Sequence, residues 1–192
     1  MIVIIKYNAG NITSVQNALE RLGYSSIVTD EPKLIQQAEK VIFPGVGEAS
    51  TAMQYLKEKG LDEVIKNLKQ PVLGICLGQQ LLCTFSEEGN TKCLGIFDTS
   101  VKKFEPRLKV PHMGWNTLKV QNSELYNGIL SEENFYFVHS YYAEVSQETT
   151  AVCDYIVPFS ASMQKDNFYA TQFHPEKSSL AGEQLLLNFL QL

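Results

Sequence analysis

Three groups of residues in this chain have the type and spacing to do covalent chemistry. Gly74-Ile75-Cys76-Leu77-Gly78 has the G-x-C-x-G form of a nucleophile held on a sharp strand-to-helix turn. In such a turn, side chains two residues before and after the nucleophile would collide, so glycine is required at both places. The turn presents the Cys76 sulfur at the end of a strand. The N-terminus of the following helix then faces it and favours the reactive thiolate. Cys83, Cys93 and Cys153 lack this setting and read as structural cysteines.

A thiol nucleophile needs a base. The candidates are His112, His139 and His174, and only His174 has a carboxylate two residues on, in His174-Pro175-Glu176. With extended backbone there, positions 174 and 176 face one side, so Glu176 can orient the imidazole and stabilise its charged form. H-x-E alone is a weak signal, and its force comes from sharing a chain with the cysteine turn. His112 and His139 read as structural or substrate-proximal. The order nucleophile, histidine, acid also differs from the nucleophile, acid, histidine order of α/β-hydrolases.

Positioning these groups calls for strands that end where the chemistry is. Ile2–Lys6 reads as a strand buried on both faces, closed by a turn and helix cap at Asn8-Ala9-Gly10-Asn11. Ile12, Val15, Ala18, Leu19 and Leu22 recur at helical spacing, with Gly23 placed to end that helix. Strands are expected at Ser26–Thr29, at Lys40–Phe43 with a stop at Pro44-Gly45, and at Pro71–Ile75 running into Cys76. Helices are expected around Ala49–Leu56 and Leu61–Leu68, then through Leu81, Leu82 and Phe85. This alternation predicts a mostly parallel sheet flanked by helices. From about Gly95 to Thr171 the chain is β-rich, which predicts extra antiparallel or mixed strands on that sheet, with Phe135–Val138 and Phe168–Phe173 the clearest. Ala181, Leu185 and Phe189 mark a last helix. The expectation is one α/β domain over residues 1–192.

Composition narrows the function classes. The chain has 192 residues, 44% hydrophobic and 19% charged, an ordinary globular mixture. Its net charge of −5 gives no long-range attraction to nucleic acid or anionic membrane. The apolar run Met1–Ile5 is too short for a signal peptide or a membrane span. The four cysteines form no C-x-x-C pair, and three scattered histidines offer no metal-ligand spacing. No metal or cofactor is expected, and a reducing, cytoplasmic setting fits best.

With these residues assembled, Gly74–Gln80 (G-I-C-L-G-x-Q) and His174–Glu176 (H-P-E) resemble the class I glutamine amidotransferase family. Gly10-Asn11-Ile12, Pro44-Gly45-Val46-Gly47 and Val110-Pro111-His112-Met113-Gly114-Trp115-Asn116 are similar to one branch of it, the glutaminase subunits of imidazole glycerol phosphate synthase. The resemblance runs from the first strand to the last helix. It implies a single-domain glutaminase that hydrolyses L-glutamine through Cys76, His174 and Glu176 and a thioester intermediate. Ammonia would pass to a (β/α)8 cyclase subunit making imidazole glycerol phosphate and AICAR in histidine biosynthesis. The resemblance also implies an oxyanion site at Gly45, Val46, Gly47 and the N–H of Leu77, with the Val46 peptide reorienting between its glycines. Gln80, Ser140 and Tyr141 would hold glutamine, and Met113, Trp115 and Lys177 would lie near the partner and the ammonia path. Relatives often have Asp in the first loop, where this chain has Lys6-Tyr7-Asn8-Ala9, so the bracing of Pro44–Gly47 is open to change.

Three other readings stay open at this point. The glutaminase could serve another synthase, such as one for pyridoxal phosphate or anthranilate. The chain could be a non-catalytic regulatory subunit, or a cysteine hydrolase with its own small substrate. The close of the chain one helix after H-P-E carries the expectation that the acceptor site lies on another polypeptide.

Overall fold

The computed structural model describes residues 1–8, 10–121 and 123–192. Ala9, in the expected Asn8–Asn11 turn, lies outside the described residues. The first half alternates as β1 (Ile2–Ile5), α1 (Ile12–Arg21), β2 (Ser26–Thr29), α2 (Pro32–Gln37), β3 (Lys40–Gly45), α3 (Ala49–Glu58), α4 (Leu61–Lys66), β4 (Val72–Cys76) and α5 (Leu77–Leu82), as expected except that α2 is not among the expected helices. Short strands follow: β5 (Phe85–Ser86), β6 (Thr91–Lys92), β7 (Ser100–Lys103), β8 (His112–Thr117), β9 (Lys119–Val120), β10 (Asn134–His139) and β11 (Tyr141–Ala143). The chain closes with β12 (Thr149–Asp154), β13 (Pro158–Lys165), β14 (Phe168–Thr171) and α6 (Ser179–Gln191).

The main sheet has the order β2-β1-β3-β4-β14-β13-β12-β9. Its first five strands run parallel, and β13, β12 and β9 extend it in antiparallel steps. Side-chain alternation divides the apolar strands between two layers. Val3, Ile5, Val41 and Phe43 pack with α3, α4 and α5, whereas Ile2, Ile4, Ile42, Leu73 and Ile75 pack with α1 and α6. Two smaller sheets, β10-β8 and β11-β7-β5-β6, sit apart from the main one. The β-rich middle therefore only partly joins the core sheet.

Three further expectations change in detail. β3 does not stop at Pro44: Pro44 pairs with Ile75 and Gly45 with Cys76. The ladder from β3 to β1 has ended by Ile42, so proline sits where the strand is paired on one side only. α5 ends at Leu82, since Cys83 is extended, and Phe85 belongs to a strand instead of that helix. Asn11 precedes α1 but makes no side-chain cap. Its amide is used elsewhere.

Candidate active site

The parallel strands β1, β3, β4 and β14 all end at one edge, the place where a parallel sheet collects its ligands. Register fixes the neighbours: Gly45 lies beside Cys76 on one side of β4, and Ile75 pairs with Thr171 on the other. Cys76 is the last residue of β4 and has φ 55 and ψ −107, a strained conformation for a residue with a side chain. Both flanking glycines are required by packing. A Cβ on Gly78 would run into the carbonyl oxygen of Phe43, and one on Gly74 would meet the Leu82 side chain at 2.8 Å.

Beyond β14 the chain delivers Gln172 and His174 to the sulfur. Gln172 Nε2 lies 3.6 Å from Cys76 Sγ. His174 Nδ1 is 2.8 Å from Glu176 Oε1, with both side chains buried. The extended segment expected here is replaced after His174 by a tight 3-10 turn, Pro175–Lys177, in which proline occupies the favoured first position. The turn still brings the carboxylate under the ring. Backbone bonds hold the histidine in place: its N–H donates to the Tyr136 carbonyl at 2.9 Å, and its carbonyl accepts from Ser178 Oγ at 2.6 Å. Asn11, at φ 74, sends its Nδ2 to Glu176 Oε1. His174 Nε2 and Glu176 Oε2 are buried and have no hydrogen-bond partner among the described residues. Burial would lower the His174 pKa, but the adjacent Cys76 sulfur and the Glu176 carboxylate outweigh it and push it up to about 10. Such a ring takes and holds a proton readily.

A cavity of about 300 Å³ opens in front of the sulfur. Seven of the residues expected at the substrate and the nucleophile line it: Val46, Gly47, Cys76, Leu77, Gln80, Ser140 and Tyr141. Gly45 lies behind it, under the buried Tyr7 ring, whose hydroxyl a Cβ at Gly45 would strike. That hydroxyl has no hydrogen-bond partner among the described residues, and burial first, then the nearby Cys76, pushes its pKa up. Val46 O accepts from Gly10 N–H at 3.3 Å, and Gly47 has φ 130, open to glycine alone at little cost. The first N–H groups of α5, Leu77 included, have no intrahelical partner and face the cavity end of β4.

The cavity also holds residues that sequence reasoning missed. Glu88 lines it and is the one carboxylate in that lining among the described residues. Burial and the neighbouring Glu48 raise its pKa, while the Ala49 N–H, bonded at 2.8 Å, works the other way. A bound cation would relieve it. Gln80 Nε2 bonds both Tyr141 O and Gln172 Oε1 at 2.9 Å, so the three form one buried network beside the sulfur. Met113 and Trp115 are 58% and 54% exposed on the outer face of β8, and Lys177 is exposed as well. Trp115 is therefore not a core aromatic.

The family description "Glutamine amidotransferase class-I" matches residues 3–192. The chain belongs to that family. Among class-I amidotransferases it is 62% identical over its whole length to the imidazole glycerol phosphate synthase subunit HisH of Bacteroides fragilis, covering 99% of that protein. It is 59% identical to the subunit of the same name from Bacteroides thetaiotaomicron, again covering 99% of it, and 47% identical to that of Vibrio cholerae, covering 98%. Solved structures share the fold: a glutamine amidotransferase matches with TM-score 0.76 at 18% identity, covering 100% of this chain and 98% of its own. PurLQS from Thermotoga maritima matches with TM-score 0.73 at 14% identity, covering 99% and 97%.

Proposed function

We infer that this chain is the glutaminase subunit of an imidazole glycerol phosphate synthase, acting in histidine biosynthesis. The observation that carries the reading is the 59–62% identity over the full chain to relatives that bear that subunit's name. Residues 1–192 serve as one glutaminase domain. The substrate is L-glutamine, and the partner is a (β/α)8 cyclase that receives the ammonia. Met113, Trp115 and Lys177 face that partner. The described residues contain no helix long and apolar enough to cross a membrane.

The chemistry follows from the positions of the groups. Glutamine enters the cavity with its ammonium toward Glu88 and its backbone ends on the Ser140–Tyr141 main chain, while Gln80 fixes the neighbouring carbonyl. Cys76 Sγ attacks the side-chain amide carbon as its proton passes to His174 Nε2. The amide oxygen becomes an oxyanion and takes hydrogen bonds from the N–H of Leu77 and, once its peptide has turned, of Val46. Each such donor is worth about 3 kcal/mol in the transition state. His174 returns its proton to the leaving nitrogen, ammonia departs, and the glutamyl thioester remains. Water then attacks the thioester with His174 as base, releasing glutamate and restoring the thiol. Glu176, braced by Asn11, keeps the imidazole oriented throughout.

Glutamate release, measured with and without a barrel cyclase and its ribonucleotide substrate, tests the reading. Strong stimulation by both is expected. A rate that ignores the cyclase would assign the glutaminase to another synthase, and no glutamate under any condition would favour a regulatory subunit. The glycine-flanked Val46, held by Gly10, leads to the further expectation that the isolated chain is nearly silent.

A further inference from the structure

We propose that the buried histidines His112 and His139 form a positioning relay, a one-way chain of hydrogen bonds running from Asn116 on the β8–β10 ribbon to the Tyr141 carbonyl of the glutamine cavity. The proposal rests on the glutaminase reading above and deepens it, since the residues it concerns are not part of the triad.

The ribbon explains how the relay is built. His112 and His139 stand directly opposite each other in the antiparallel β8–β10 pair. Alternation puts His112 and Asn116 on the inner face, and Met113 and Trp115 on the outer, exposed one. The inner face is thus the underside of the surface assigned to the partner.

Proton positions along the chain are fixed from its far end. His139 Nδ1 lies 2.8 Å from Tyr141 O. A carbonyl carries no proton, so Nδ1 must donate, which in a neutral ring leaves Nε2 as an acceptor. That Nε2 is 2.9 Å from His112 Nδ1, which must therefore donate in turn. His112 Nε2 is left as an acceptor, and Asn116 Nδ2 stands 3.5 Å away to fill it. One carbonyl sets both tautomers. A second proton on His139 would force His112 to switch tautomer and turn its new N–H against the Asn116 amide. Burial opposes that protonation and lowers the pKa of His112 to about 4 and of His139 to about 3.

The end of the relay touches the chemistry. Tyr141 O also accepts from Gln80, Gln80 bonds Gln172, and Gln172 reaches Cys76 Sγ. His139, Tyr141 and Gln80 all line the cavity. A change in the ribbon therefore reaches the groups that shape the glutamine subsite. Space-filling alone does not require imidazole here. His112 stacks on Tyr155 and Phe137 at 4.0 and 4.8 Å between centroids, contacts that a phenylalanine ring would keep. What phenylalanine cannot supply is the Nδ1 donor, whereas asparagine places an amide N–H close to the same point.

The test is steady-state glutaminase kinetics of the complex with the cyclase and its nucleotide, for wild type, His112→Phe and His112→Asn. Loss of one hydrogen bond predicts that His112→Phe raises the KM for glutamine about fivefold, with a smaller fall in kcat. His112→Asn is expected to recover most of the KM. Nitrogen-15 spectra of the wild-type imidazoles near pH 7 should show His112 and His139 both protonated at Nδ1 and bare at Nε2, which tests the relay even if His112→Phe fails to fold. An Nε2–H tautomer at either ring, an unchanged KM in His112→Phe, or equal losses in both variants overturns the relay while leaving the glutaminase intact. A wild-type complex that releases no glutamate overturns the functional reading and the relay with it.

Discussion

Asn11 offers the sharpest test of how His174, the proposed base, is oriented. Glu176 Oε1 accepts from both His174 Nδ1 and Asn11 Nδ2, while Oε2 has no partner among the described residues. Removing the Asn11 amide leaves the carboxylate anchored at one bond and free to turn about its last torsion. Asn11→Gly is the right perturbation, because φ 74 suits glycine and the backbone is not strained by the change. Asn11→Ala would add roughly 1–2 kcal/mol of left-handed strain and confuse the two effects. A hydrogen bond to a charged group contributes about 1.5–3 kcal/mol net. If that orientation is expressed in the transition state, where His174 carries its full charge, kcat falls about 10- to 100-fold. The assay is glutamate release by the complex, with the cyclase reaction driven by added ammonium as a control that should not change. A kcat within twofold of wild type, with the melting temperature unchanged, would refute the reasoning and assign the orientation of Glu176 to packing alone.

Three other outcomes are expected. Cys76→Ala and Cys76→Gly should both lose glutamate release, and the glycine variant should melt about 2–4 °C above the alanine one, since about 1 kcal/mol of strain at φ 55 is relieved; thermal melts of both decide it. Glu88→Gln should raise the KM for glutamine about tenfold or more with a smaller effect on kcat, because it removes a charge that meets the substrate ammonium in both ground and transition states; full saturation curves check the split. Stability should fall as the pH drops from about 6.5 toward 4. In that window the unfolded chain protonates its histidines, whereas the folded chain keeps His112 neutral until about 4 and His139 until about 3. Each contributes a slope of at most about 1.4 kcal/mol per pH unit, and His112→Phe should flatten the melting-temperature profile between pH 6.5 and 5.

The parallel half of the fold was legible where a short apolar run is followed by a helical period, as at β1, β3 and β4, because buried parallel strands leave that signature; α2, six residues long with only Ile35 buried, is too short to show one. The boundaries blurred where tertiary pairing overrode local signals. Pro44 reads as a stop, yet the ladder to β4 carries β3 through it to Gly45. Phe85 continues the helical spacing of Leu81 and Leu82, yet it pairs with Lys92 and Ser100. Strands of two residues such as β5, β6 and β9 have no periodicity to read, and nothing local says that β14 will lie beside β4.

Legibility at the site followed sequence separation in the same way. Cys76 could be found because its strain is local, and local strain leaves glycines beside it. His174 and Glu176 could be found because they are two residues apart, although the turn that joins them is not the extended segment the spacing suggested. Asn11 reads as a helix cap because that is what asparagine does before an apolar period; its actual partner is 165 residues away. Glu88, beside Glu87 and Gly89, looks like any solvated turn, and only the fold turns it into a cavity wall. Gln172 did leave a signal. It is a polar residue in the apolar run Phe168–Phe173, two positions before His174, and alternation on an extended chain puts both on one side. A buried polar side chain in phase with a candidate base must find partners, and Gln172 finds two: its Oε1 accepts from Gln80 and its Nε2 reaches the Cys76 sulfur.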